Sequence, residues 1–339
     1  MNAFIEKLNT EYNNLFSEGI PVYIAAGTNP TKPVNGEACK ALLKINNEPM
    51  VLPIIKGWNE LPETSTIYIN GPAERFKEEL EPYFAKNGIT DYKFVNEVAQ
   101  GDAKVLFSNI EDTVKRYELS GATLLSTCDM VPFDTVKART ILDDILTGVV
   151  DDLMNKGSVA DLYFTIGNQM SEKGTFSSIK DLDDARPAMV LGPYDLFRLG
   201  GVDLFFPENL LPKKDEFVKG YSVRKANENL LHTLSYVWER LGYDVPESRF
   251  KVLKLNEGRQ TLLKLMANYL KKYGVKGVRL PSPHPFYHLP LPDMEKVLEG
   301  TLGFKTRLIV TEGTEDVDND LEAEAIGAVT GKDFILSDE

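Results

Sequence analysis

Residues 21–43 read PVYIAAGTNPTKPVNGEACKALL, and the architecture of the chain turns on this stretch. Val22-Tyr23-Ile24-Ala25-Ala26 is a short apolar run of β-branched and aromatic residues, which predicts a buried strand. Gly27 ends it. Between Gly27 and Gly36 stand two Pro, two Asn and two Thr, the composition of an open loop. A strand that runs into a Gly-containing loop offers free backbone N–H groups at the carboxyl end of a sheet, where a phosphate can be held. Lys40, just ahead of a new apolar run, is placed to bring an ammonium to the same anion and offset its charge. An ordinary strand-to-loop turn with a solvated lysine is the plainer alternative.

Working outward, apolar residues at helical spacing over 3–16 predict a helix beneath this strand. Helices are expected near 51–61, 74–87, 103–118 and 134–155, and strands at 66–69, 92–95, 122–127 and 160–166. Strands alternating with helices predict an α/β fold, a mostly parallel sheet with helices on both faces. Short extended segments follow at 187–192 and 202–206, with a turn read over 194–201. Amphipathic patterns at 222–241 and 258–273 mark 213–273 as a helical insertion or subdomain. Strand is expected again at 275–280 and 306–310, and a closing helix at 321–329.

Bulk properties narrow the function. The chain has 339 residues, 42% hydrophobic and 26% charged, enough to bury a sizeable core. A net charge of −13 argues against nucleic acid or an anionic membrane bound over a broad surface, but not against a small anion in a basic cleft. The two cysteines, Cys39 and Cys128, have neither disulfide-framework nor zinc spacing. The N-terminus lacks a secretory pattern and no run reaches a membrane span, so a cytoplasmic location is expected.

Two further stretches carry chemistry. The strand 122–127 delivers Cys128-Asp129-Met130-Val131-Pro132, so Asp129 sits at the carboxyl tip of a central strand. A carboxylate there suits Mg2+, which is held by one or two carboxylates plus phosphate oxygens; capping of the next helix is the alternative. Late in the chain, Asp316-Val317-Asp318-Asn319-Asp320 offers oxygen ligands before a helix, or simply an acidic first turn.

Together, IAAG with its loop and lysine, the D-x-x-P strand end and the late D-x-D resemble the nucleotidyltransferases of the molybdenum-cofactor guanylyltransferase (MobA-like) type, over about 20–210 and again at 300–330. The resemblance implies a GT-A-like, Rossmann-like three-layer fold spanning 1–339 as one domain. It also implies Mg2+-dependent transfer of a nucleotidyl group from an NTP to a small phosphorylated acceptor, with homo-oligomerisation left open. Ala25, Ala26, Gly27 and Thr28 would line the nucleotide, with Lys40 on its phosphates and Gln100 reading base or sugar. Asp129 would hold the metal with Asp318, Asp316 being the reserve. Arg198, Gly200 and Gly201 would meet the acceptor. Family members often carry a second glycine and an arginine after AAG; here Thr28-Asn29-Pro30-Thr31-Lys32-Pro33 leaves Lys32 as the basic substitute, and Cys39 replaces the usual proline or asparagine before the lysine. A nucleotide-sugar glycosyltransferase and a non-catalytic nucleotide-binding protein are the alternatives. His284 and His288 have metal-pair spacing, but Pro283, Pro285 and Pro290 oppose a helix there. Asp215 and Glu216 beside Lys213 and Lys214 read as a solvated helix start.

Overall fold

The computed structural model describes residues 2–31, 33–45, 47–98, 103–131, 133–168, 189–190, 196–216, 218, 291–312 and 315–316. In chain order these form α1 (Asn2–Phe16), β1 (Ile20–Ala25), a 3-10 turn (Lys40–Leu42), β2 (Lys44–Ile45), β3 (Glu48–Pro49), α2 (Val51–Asn59), β4 (Thr64–Gly71), α3 (Ala73–Asn87) and β5 (Tyr92–Asn96). There follow α4 (Ala103–Tyr117), β6 (Thr123–Thr127), β7 (Met130–Val131), α5 (Thr135–Lys156), β8 (Leu162–Asn168), β9 (Met189–Val190), β10 (Leu196–Phe205) and α6 (Pro207–Leu210). The last described elements are α7 (Leu291–Leu302), β11 (Thr306–Glu312) and β12 (Glu315–Asp316). The expected insertion beyond residue 218, the strand at 275–280, the closing helix and both histidines fall outside the described residues.

The main sheet runs β11-β8-β10-β6-β1-β4-β5, with β9 on β10. β1 is central and parallel to both β4 and β6; β5 is parallel to β4, and β11 to β8. β10 alone runs antiparallel between β6 and β8. Alternation along the strands divides the core. Val22 and Ile24 face α2, α3 and α5 through Leu52, Trp58, Phe76 and Ile145, while Tyr23 faces α4 through Phe107, Ile110 and Val114. Burial on both faces explains why β1 reads as a continuous apolar run rather than an alternating one.

One expected boundary is corrected. The span 194–201, read as a turn, is largely strand: β10 runs unbroken from Leu196 to Phe205. The glycines that signalled a turn occupy a bulge, where the register on β8 slips between Leu199 and Asp203. A Cβ at Gly200 would stand 2.0 Å from Thr165 Oγ1, and one at Gly201 2.4 Å from Met130 Sδ and 2.7 Å from Thr127 Oγ1. Close approach, not reversal of the chain, requires glycine there.

Candidate functional site

The site is built at the carboxyl ends of β1 and β6, paired through Ala25 and Thr127. The chain leaving β1 is stitched to β4, because the Ala26 N–H donates to Asn70 O at 2.9 Å. The loop then returns on itself, with Asn29 N–H donating to Ala38 O and Val34 and Glu37 exchanging backbone bonds. Arg75 grips Glu37 with both terminal nitrogens, at 2.8 and 2.7 Å, and Glu37 in turn accepts the Cys39 N–H. Burial works to raise the Glu37 carboxyl, but the hydrogen bonds from Arg75 and Cys39 hold it below the usual carboxylate range.

Cys39 is fully buried, its thiol directed at Ala26 O at 3.4 Å, and Ala41 and Leu42 are buried beside it. These contacts fix the turn that carries Lys40. From it the ammonium crosses to the end of β6, where Lys40 Nζ lies 2.9 Å from Asp129 Oδ2. Only 19% of the Lys40 side chain and 14% of that of Asp129 reach solvent, so the pair is largely desolvated. The end of β6 is itself held from behind, where the buried Trp58 indole of α2 donates to Ser126 Oγ at 3.2 Å.

The structure thus joins Lys40 and Asp129, which sequence assigned to separate tasks, into one cation–anion pair beside Ala25, Ala26 and Gly27. A phosphate oxygen can take the ammonium and a hard cation the carboxylate. The loop differs from expectation. The Thr28 N–H is not free for a ligand: it donates to Glu97 Oε2 at 2.9 Å, and a Cβ at Gly27 would stand 3.2 Å from that oxygen. Glu97 follows directly on β5, so a carboxylate from a strand tip two places along the sheet from β1 occupies part of the space read as a phosphate cradle. Position at the end of a parallel strand was the one signal that could have marked it.

Gly200 and Gly201 lie in β10, and the backbone of Arg198 pairs with Gly167. β12 pairs with β7 so that Asp316 stands opposite Met130, one residue from Asp129. This backbone register brings the late acidic stretch to the same strand end. Lys32, Gln100 and Asp318 fall outside the described residues. Among the described residues, no group of three or more His, Cys, Asp or Glu side chains is arranged to hold a metal. No described helix is long and apolar enough to cross a membrane.

No protein-family model matches this sequence. Nor does any curated protein sequence. Among solved structures, a hypothetical transferase from Thermus thermophilus superposes with a TM-score of 0.56 at 17% identity, over 88% of this chain and 97% of that one. A CMP:2-keto-3-deoxy-manno-octonic acid synthetase complexed with CTP gives 0.45 at 12% identity, over 92% and 98% of the two chains. A cytidylyltransferase from Leptospira borgpetersenii gives 0.32 at 17% identity, over 58% and 63%. The first likeness establishes the fold alone, a mostly parallel α/β sheet with flanking helices; the other two superpose too loosely to add to it.

Proposed function

We propose that this protein is a nucleotidyltransferase that moves a nucleoside monophosphate from an NTP to a small phosphorylated acceptor, releasing pyrophosphate. The observation that carries the reading is the desolvated Lys40–Asp129 pair at the carboxyl ends of β1 and β6. An oxygen of the acceptor phosphate attacks the α-phosphorus, and the bond from that phosphorus to the pyrophosphate oxygen breaks. Such a displacement asks for positioning and charge neutralisation rather than covalent participation. Lys40 offsets the charge on the α-phosphate oxygens. Ala25, Ala26, Gly27 and Thr28 line the nucleotide, with Gln100 on its base or sugar and Lys32 on the outer phosphates. The β10 bulge around Arg198, Gly200 and Gly201 lies on the acceptor side.

A hard-oxygen donor at Asp129, with the backbone of Asp316 alongside, fits Mg2+, which keeps several waters and is completed by phosphate oxygens. Asp129 would hold the ion, with Asp318 as the proposed second ligand. Bound there, Mg2+ supplies charge neutralisation for the triphosphate.

Thermal shift with ATP, GTP, CTP and UTP, each with and without Mg2+, tests the reading, because a ligand of the folded state raises the melting temperature. One NTP should stabilise the wild type in a metal-dependent manner, and Asp129→Ala should abolish the effect. Stabilisation by none of the four, or equal stabilisation of Asp129→Ala, overturns the assignment. The Glu97 carboxylate on Thr28 N–H favours a second reading, nucleotide binding without turnover. Pyrophosphate release separates the two, and release of a nucleoside diphosphate from a nucleotide-sugar would instead mark a glycosyltransferase.

A further inference from the structure

Lys40 and Asp129 close on each other at 2.9 Å, and their surroundings decide which of the two can let go. The backbone of Asp129 is fixed from both sides, because Thr127 pairs with Ala25 of β1 and Met130 pairs with Asp316 of β12. That of Lys40 is fixed as well. Cys39 before it is buried with its thiol on Ala26 O, Ala41 and Leu42 after it are buried, and Lys40 O accepts the Leu43 N–H at 3.0 Å. What remains adjustable is the lysine stem, four carbons carrying three rotatable N–H donors. Both side chains keep a part of their surface in water, so the contact stands at the edge of solvent rather than sealed in the core.

Held together, neither group is ready for a ligand. The pair as a unit carries no net charge with which to draw in a polyanion, and Asp129 Oδ2 is taken by the ammonium. A divalent cation arriving alone meets a poor site, since among the described residues no group of three or more His, Cys, Asp or Glu side chains is arranged around it. Sharing Asp129 between ammonium and ion would set three positive charges against one negative charge in a contact where screening is weak. The ammonium therefore has to leave as the ion binds. With water as its only destination the exchange gains little. With a phosphate present, the ammonium moves onto phosphate oxygens, which also complete the shell of the ion.

We propose that Lys40 is a built-in competitor for the cation site: it holds Asp129 when no cation is bound, and a divalent cation displaces it onto the phosphates of the ligand. The destination of the ammonium rests on the nucleotidyl-transfer reading; the exchange at Asp129 does not. Cation and polyphosphate then bind with positive coupling, since each removes an obstacle to the other. Such coupling is reciprocal, so the cation strengthens polyphosphate binding by the same factor by which polyphosphate strengthens cation binding. The site thereby discriminates against a bare cation and against an uncomplexed polyanion, and favours the two together.

The test uses Mn2+ as an oxygen-seeking probe, followed by the EPR signal of the unbound ion in the absence of nucleotide, with Mg2+ added to displace it. Lys40→Met removes the competitor and should bind Mn2+ about tenfold more tightly than the wild type, the size of coupling expected between groups in direct contact. Lys40→Arg, which keeps a cation on Asp129, should not. Lys44→Met, which removes an exposed lysine nearby in sequence, should change the affinity less than about twofold, and Asp129→Asn should lose the site. The wild type supplies a second readout by NMR with carbon-13 at lysine Cε, the Lys40 signal being identified by its loss in Lys40→Met. Mg2+ alone should shift that signal with the same midpoint at which it displaces Mn2+. A Lys40 signal that stays in place while Mg2+ saturates the site, equal Mn2+ affinity in wild type and Lys40→Met, or Mn2+ binding that persists in Asp129→Asn overturns the proposal. Adding each NTP with Mg2+ keeps the two readings apart. Cation exchange with no effect of any NTP removes nucleotidyl transfer and leaves the exchange, whereas NTP binding with Lys40 still on Asp129 removes only the exchange.

Discussion

The ion pair between Lys40 and Asp129 gives the most direct quantitative test of the site. At 2.9 Å the gross Coulomb attraction is about 6 kcal/mol for an effective dielectric of about 20. Desolvation of two groups that keep only 19% and 14% of their side-chain exposure offsets most of that. The net coupling should therefore be on the order of 1–2 kcal/mol, above an exposed pair and below the gross attraction. The perturbation is a double-mutant cycle of Lys40→Met and Asp129→Asn, read by urea unfolding. Each single substitution removes the attraction between two largely buried charges while leaving one of them in place, whereas the double variant removes both charges, so it should be more stable than the sum of the singles predicts. Because the pair is mostly shielded, the coupling should change little between low salt and about 1 M salt. Additivity within about 0.3 kcal/mol, or a coupling that vanishes in salt, would refute the reasoning and make the contact a solvated surface encounter.

Other expectations follow from single positions. A Cβ at Gly71 would lie 2.4 Å from Ala26 O and 2.6 Å from the Phe76 ring. Gly71→Ala should therefore cost on the order of 3 kcal/mol in denaturant unfolding and, by pushing β4 from the end of β1, weaken nucleotide binding as well. Burial pushes the Asp203 carboxyl up to about 8, partly countered by the hydrogen bond from the Thr165 N–H. Between the unfolded value near 3.9 and the native value of about 8, the native state keeps a proton that the unfolded state has released, so stability falls as pH rises through that window. Relative to Asp203→Asn, the wild type should lose on the order of 2 kcal/mol from pH 4 to pH 9, measured as melting temperature against pH; parallel curves would contradict the assigned burial. Cys39 is pushed up to about 12, mainly by burial and then by Glu37, and Cys128 is raised by burial and by Asp129. Neither should react with Ellman's reagent at pH 8 in the native protein and both should in urea; fast labelling of either in the fold would show the turn beneath Lys40 to be open.

Much of the fold was legible because it is written locally. The apolar runs of β1, β4 and β6 and the helical spacing of α1 to α5 are decided by residues within one turn or one strand of each other. The helix expected near 134–155 is α5, and the Asp134 carboxylate that caps it accepts the Lys137 N–H at 2.8 Å. β10 was misread because Gly200-Gly201 is the same local signal whether glycine turns a chain or lets it pass close to another. Only the positions of Thr165, Thr127 and Met130 distinguish the two.

The sequence by itself determined an α/β chain, and it singled out Lys40 and Asp129 near the carboxyl ends of β1 and β6, since strand, loop and lysine are contiguous and a carboxylate at a strand tip is recognisable in isolation. The tertiary structure alone decided that these two residues, 89 positions apart, form one desolvated pair. It also decided that Glu97, 69 positions from Thr28, closes part of the loop, and that Asp203 of β10 accepts the Thr165 N–H of β8 across the bulge. The physical reason is that hydrophobic periodicity is a property of neighbours in the chain, whereas charge pairing, desolvation and register are properties of neighbours in space, fixed only once the strands have chosen their order.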